Sequence, residues 1–272
     1  MSSTRTPLPP RRLRSGLVLG LAALALTGCA SVPGPNSQSV PSIVPPSAAA
    51  PADEAPVLTA PSSSATVATP TERALSALEQ SEHATLHTCV MGGATGSVST
   101  YRGDDGVPAD ALLAPILPAI AARSDPDAAL LPIAADRTGV SAQVRQPGGA
   151  SAVARLLAQL GDHRTTTATT TARQACRDFT DVVLGDALDD RTNSAYRQML
   201  LNAAERAPAR SLTTAVSNGW TVVGTVLEND NEAGIVAVLS GVHWSTTIAV
   251  FSTGGSRPLD VALRATKILL QS

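Results

Sequence analysis

Hydrophobic and polar positions alternate with clear periods only in the later part of this chain, from about residue 71 onward. Thr71–Glu82 (TERALSALEQSE) sets Ala74, Leu75 and Leu78 on one helical face behind Thr71 as N-cap. Ala84–Met91 and Ser97–Arg102 flank GGATG, the pattern of a β-hairpin with a glycine-rich turn. Ala109–Ile120 (ADALLAPILPAI) is apolar on every side and carries no charge after Asp110, so a helix there, extending to about residue 122, is expected to be buried all round. Pro115 and Pro118 each remove an amide donor and are expected to bend or end it. A second short apolar helix is expected over Asp125–Ala135, opened by Pro126. Gly149–Leu160 repeats Val153, Leu156, Leu157 and Leu160 at three- and four-residue spacing, and Gly161 stops it. His163–Thr171, six of its nine residues threonine, reads as a loop running into the N-cap of a helix over 172–184 that breaks at Gly185. Asp189–Ala207 follows as another helix, with Pro208 beyond its end. The character then changes: Gly219–Leu227, Ala233–Ser240 and Thr246–Thr253 are β-branched runs split by turn residues, and Pro258–Leu270 closes the chain as a helix.

This order predicts an α+β fold. A five-stranded antiparallel sheet is flanked on one face by the N- and C-terminal helices, the middle helices form a reduced helical lobe, and the 109–122 helix lies between the two.

The N-terminal region is different in kind. Arg5, Arg11, Arg12 and Arg14 precede an eleven-residue apolar run, Gly16–Leu26, too short to span a bilayer but right for a secretory signal over residues 1–28. The run ends in Leu26-Thr27-Gly28-Cys29, which resembles the lipobox of bacterial lipoproteins. That resemblance implies a lipidated Cys29, a membrane as partner, and a location on the extracytoplasmic face. Residues 30–70 are Ser, Pro, Ala and Val with no periodic apolar face, so 29–70 is expected to be a disordered tether and 71–272 the domain.

Charge removes one class of function. Without residues 1–28 the chain keeps 16 basic and 22 acidic residues, a net −6 with no basic patch, which argues against a nucleic-acid partner. Six aromatic residues in the whole chain offer little for stacking on sugars or bases. Cys89 and Cys176 remain once Cys29 is lipidated; they form either a disulfide or two separate buried thiols, and sequence leaves both open. His83, His87 and Cys89 lack a second ligand cluster, and the GGATG glycines precede no helix, so neither a metal nor another cofactor is implied.

Four strings recur in family order. Leu78 to Pro108, containing YRGDDGVP, is similar to the first hairpin and the approach to the nucleophile in class A serine β-lactamases and the penicillin-binding family around them. Gly148–Asp162 (GGASAVARLLAQLGD) resembles the helix after that family's second motif, and Thr169–Leu188 its helix ending in a GDAL-type turn. Ser217-Asn218-Gly219-Trp220-Thr221-Val222 resembles the approach to its third motif. The resemblance covers residues 71–272 and implies the α+β fold above.

The same resemblance shows what is missing. The family's chemistry needs Ser-x-x-Lys, Ser-Asp-Asn and Lys-Thr-Gly. The matching positions hold Ala111 and Ala114, Ala135-Asp136-Arg137, and Thr225-Val226-Leu227. The loop bearing the general-base Glu is reduced to His163–Ala168. Independently of any alignment, the chain has one lysine, Lys267, in its last predicted helix, so no Ser/Lys nucleophilic pair of the usual form exists. Arg137-Thr138-Gly139 imitates the third motif but lies before the 149–160 helix rather than on a late strand.

These features predict a non-catalytic, lipid-anchored envelope module that binds through a vestigial cleft near Ala111, Ala114, Ala135, Asp136, Arg137 and Thr225. A cell-wall (peptidoglycan) peptide or an envelope protein is the expected ligand. Two alternatives stand beside it: a serine hydrolase or transpeptidase relative using non-standard residues, and a carrier or sensor of a small apolar ligand on an unrelated fold.

Overall fold

The computed structural model describes residues 68–93, 95–124, 132–216, 219–242 and 244–271. The signal-like segment, Cys29 and the tether as far as residue 67 lie outside the described residues.

Helix α1 (Pro70–Glu82) opens earlier than its apolar face predicts. Thr69, not Thr71, is the N-cap: its hydroxyl accepts from the Glu72 amide while the Glu72 carboxylate accepts from the Thr69 amide, and Pro70 needs no donor at the first position. Strands β1 (Ala84–Gly92) and β2 (Val98–Tyr101) form the expected hairpin. After the short β3 (Gly106–Pro108) comes the apolar helix α2 (Asp110–Ser124). The expected helix over 125–135 is not seen in its described part: residues 125–131 lie outside the described set, and 132–135 run without helical bonds. A helix the pattern did not announce, α3 (Arg137–Val144), starts instead at Asp136, whose carboxylate accepts the Gly139 amide.

The later elements follow the periodicity. They are α4 (Gly149–Gln159), a three-residue β4 (Thr169–Thr171), α5 (Ala172–Val183), α6 (Asp190–Ala204), the short α7 (Ala209–Ala215), strands β5 (Thr221–Glu228), β6 (Glu232–Ser240) and β7 (Ser245–Gly254), and α8 (Pro258–Leu270). Gly161, at φ +75, takes the left-handed turn that ends the α4 segment.

The five-stranded sheet has the order β2-β1-β7-β6-β5, every pair antiparallel. Apolar side chains on both sheet faces explain the long β-branched runs, since β6 is buried continuously from Ala233 to Leu239. On one face α1, α7 and α8 pack over Leu86, Ile235, Ile248 and Val250. On the other, α2, α4, α5 and α6 enclose a core containing Leu113, Ile116, Phe179, Tyr196 and Val236. From Ala111 to Ala119 α2 is buried on all sides, as its composition requires.

The two prolines do not end α2. Pro115 cannot donate to the Ala111 carbonyl one turn back, and the Thr225 hydroxyl from β5 does so instead, at 3.1 Å. The Tyr196 hydroxyl donates to the Pro115 carbonyl at 2.7 Å. Groups from β5 and α6 therefore supply bonds to the helix backbone around its first proline.

Candidate functional site

The helix–sheet junction gathers most of the residues singled out from sequence. Ala111 stands in the first turn of α2, and Thr225, which the resemblance matched to the start of the third motif, bonds to its backbone. Both are almost wholly buried, with 4% and 3% of their surfaces exposed. β6 presses against the same turn: a Cβ on Gly234 would come within 2.5 Å of the Ala111 Cβ, so only glycine fits there. Ala114 is fully buried in the core one turn further on.

Arg137 closes the outer side of this junction. From the first turn of α3 its Nε donates to Asp110 Oδ2 at 2.6 Å and its Nη1 to Glu232 Oε2 at 2.5 Å, joining the helical lobe to the β5–β6 hairpin. Behind this clasp a hollow of about 30 Å³ lies between Asp110, Ala111, Arg137, Glu232, Gly234 and Phe251, with room for about one water molecule. Asp136 points away into its capping role.

Ala135 and Thr225 border a second, roomier groove of about 370 Å³. Its floor is β5 at Gly224–Val226, and its walls are the 132–135 segment, α6, and the turn at the cis Ala207–Pro208 bond. The six candidate positions thus do not share one hollow: Ala111 and Arg137 face the small one, Ala135 and Thr225 the large one, and the Thr225–Ala111 bond lies between.

The short loop after α4 is held by a buried carboxyl pair. Asp162 Oδ1 accepts the Arg164 and Thr165 amides at 2.7 and 3.0 Å. Asp178, on the inward face of α5 and fully buried, accepts from Gln174 through its Oδ1. Oδ2 of each finds no N–H or hydroxyl donor, but the two carboxyls interact with each other, and a proton kept on Asp178 would satisfy both. Burial, then the Asp162 hydrogen bond and charge, pushes the Asp178 pKa up to about 9. Burial opposes ionisation of Asp162, but bonds from Asp178, Thr165 and the loop amides outweigh it, and its pKa falls below the usual range. From this anchor the loop runs into β4, which pairs with β3, and the Ala109 amide bonds to the Ala168 carbonyl immediately before α2.

Cys89 and Cys176 are both free and buried. The Cys176 thiol lies 3.3 Å from the Thr247 carbonyl and 3.5 Å from that of Cys89. Burial, followed by hydrogen bonding to the Cys89 side chain, raises its pKa well above that of a free thiol. His87 Nδ1 contacts the Arg102 carbonyl, and among the described residues no three potential ligands gather to hold a metal ion.

Sequence reasoning missed Asp110 and Glu232 as partners of Arg137, Gly234 as the close-approach residue, and the Asp162–Asp178 pair. Each depends on contacts between residues far apart in the chain, and no local period or motif signals them.

Sheet order, flanking helices and the helix at the lobe boundary together define a β-lactamase-like fold. Solved structures agree. A class A β-lactamase from Mycobacterium abscessus superposes with a TM-score of 0.62 at 18% identity, over 74% of this chain and 98% of that one. The β-lactamase from Streptomyces albus G gives 0.60 at 18% identity over 75% and 99%, and that from Streptosporangium roseum 0.58 at 18% over 74% and 97%. No protein-family model matches the chain, and no curated protein resembles it significantly in sequence.

Proposed function

We propose that this protein is a non-catalytic binding module of the cell envelope, carried by a lipid on Cys29 and using the groove beside Ala135 and Thr225. One observation carries the reading. At the two positions where the resemblance puts a nucleophilic serine and a substrate-binding lysine, an alanine backbone carbonyl and a threonine hydroxyl are bonded to each other in a packed interior. A group that attacks an acyl carbon needs an accessible nucleophile and a base beside it. Here the methyl of Ala111 faces Gly234, and the chain's single lysine is Lys267 on α8. The lipobox-like Leu26–Cys29 and the apolar run before it support anchoring on the extracytoplasmic face. The partner implied there is a membrane, with a cell-wall peptide or an envelope protein as ligand.

The rival, a hydrolase or transpeptidase acting through other residues, draws on the solved neighbours, which are named β-lactamases. Incubation of the purified chain with a fluorescent penicillin and a chromogenic cephalosporin separates the two. The binding reading expects no covalent label and no turnover; either would refute it. Mass spectrometry of membrane-extracted protein tests the anchor: diacylated Cys29 at the mature N-terminus is expected, and an unmodified thiol there would remove it.

A further inference from the structure

We propose that the groove beside Thr225 takes an amphipathic monocarboxylate, its apolar body on Ile133, Met199 and Val226 and its carboxylate on the Arg206 guanidinium. This rests on the non-catalytic reading above and adds the class of ligand.

The argument begins with the pattern on α6 and its C-terminal extension. Ala195, Met199 and Ala203 recur at four-residue spacing and line the groove as an apolar wall. Gln198, Asn202 and Arg206 recur beside them with the same spacing and form its polar rim. β5 and the 132–135 segment add Val226, Ile133, Ala134 and Ala135, all apolar. One long wall that is apolar inside and polar at the edge fits a ligand of the same two-sided character.

Charge then fixes the sign of the polar end. Arg206 is the one charged residue lining the groove among the described residues, and no acid accompanies it. Arg206 is exposed, and among the described residues its guanidinium is paired with no carboxylate, so its charge is open to an anion. The Gln198 amide donates to the Asn202 carbonyl oxygen at 3.2 Å, which leaves the Asn202 amide N–H groups available to a second acceptor. A planar guanidinium and an amide along one rim suit a carboxylate, and a single positive charge suits a monoanion.

Volume sets the size. At ~30 Å³ for each water-sized group, a groove of about 370 Å³ holds roughly twelve such groups, the size of a ten-carbon acid.

The test uses the full chain titrated by calorimetry with decanoate and, as its uncharged counterpart, decan-1-ol, at neutral pH and below their aggregation limits. Decanoate is expected to bind about tenfold more tightly than the alcohol, the worth of a charge-assisted hydrogen bond. Arg206→Gln should bring the two together. Ala203→Trp, filling the wall, should abolish both; Ala195→Trp repeats the test from another position on that wall should the first variant fail to fold. Equal binding of acid and alcohol overturns carboxylate recognition while leaving the groove as a binding site. Absence of binding by either, or binding indifferent to both tryptophan variants, overturns the proposal outright. Penicillin labelling reads the underlying assignment separately, because it reports acylation rather than occupancy.

Discussion

Replacing Asp178 by asparagine should stabilise the protein, and by more as the pH rises. In the folded chain Asp178 keeps its proton until about pH 9, whereas in the unfolded chain it ionises near the ordinary carboxylate value. A raised folded pKa contributes stability that is complete below the unfolded value and is lost as pH climbs through the folded one. The loss runs at about 1.4 kcal/mol per pH unit over that window. From about pH 5 to about pH 8 the single-site figure is therefore roughly 4 kcal/mol. Asp162 has the opposite shift: its contribution is present above the unfolded carboxylate pKa and fades only as pH falls through its lowered folded pKa, so it adds little slope in this range. Because the two carboxyls share a proton and relax together, about 2–4 kcal/mol is the expected span.

The substitution removes the need for that proton. The introduced side-chain amide donates to Asp162 Oδ2 at any pH, and its carbonyl oxygen takes the place of the Oδ1 that accepts from Gln174. Urea unfolding of wild type and Asp178→Asn at intervals from about pH 5 to about pH 8 reads this directly, with the midpoint interpreted at constant slope m. The wild type should weaken steadily with pH, the variant should stay nearly level, and the two should match at the acid end. A variant less stable than wild type at pH 8, or a wild-type profile that is flat, would refute the shared proton.

Three further outcomes follow from the same contacts. Thr225→Val should cost about 1–3 kcal/mol by leaving the buried Ala111 carbonyl without a donor; Pro115→Ala, which restores a helix amide, should recover most of it in a double-mutant cycle, and simple additivity would count against the repair. Arg137→Ala should cost only about 1 kcal/mol, since its side chain is half-exposed, and the deficit should shrink in high salt; a loss insensitive to salt would mean packing rather than charge holds the clasp. In the native protein Cys89 and Cys176 should resist alkylation even in mild alkali and react once unfolded; failure to react after unfolding without reductant, with a mass lighter by a hydrogen pair, would mean they are joined.

Much of the architecture was legible because it rests on local signals. β-branched runs in 219–253 fixed three strands, three- and four-residue apolar spacing fixed α4, and a helix apolar on all sides had to lie between layers. Expectations failed for distant and for local reasons. Pro115 breaks a helix in isolation, yet Thr225, more than a hundred residues later, supplies the missing bond. α3 escaped notice because RTGVSAQV has a weak apolar stripe, and its start depends on the Asp136 cap. Thr71 was the wrong cap because Pro70 also fits the first helical position, which moves the cap back to Thr69. The site was legible only in part: the sequence named candidate positions, but not the contacts that surround them.

Those contacts share a direction. An active cleft holds polar groups short of partners and leaves space for a substrate, at a cost in stability. Around α2 three polar side chains find partners within the chain: Thr225 in the Ala111 carbonyl, Arg137 in Asp110 and Glu232, and Asp162 in loop amides and Asp178. Gly234 lets the sheet close onto the helix at Ala111. Such packing closes the junction, in keeping with the non-catalytic reading proposed above. The groove on the far side of Thr225, walled by α6 and edged by Arg206, is where the proposed ligand would sit.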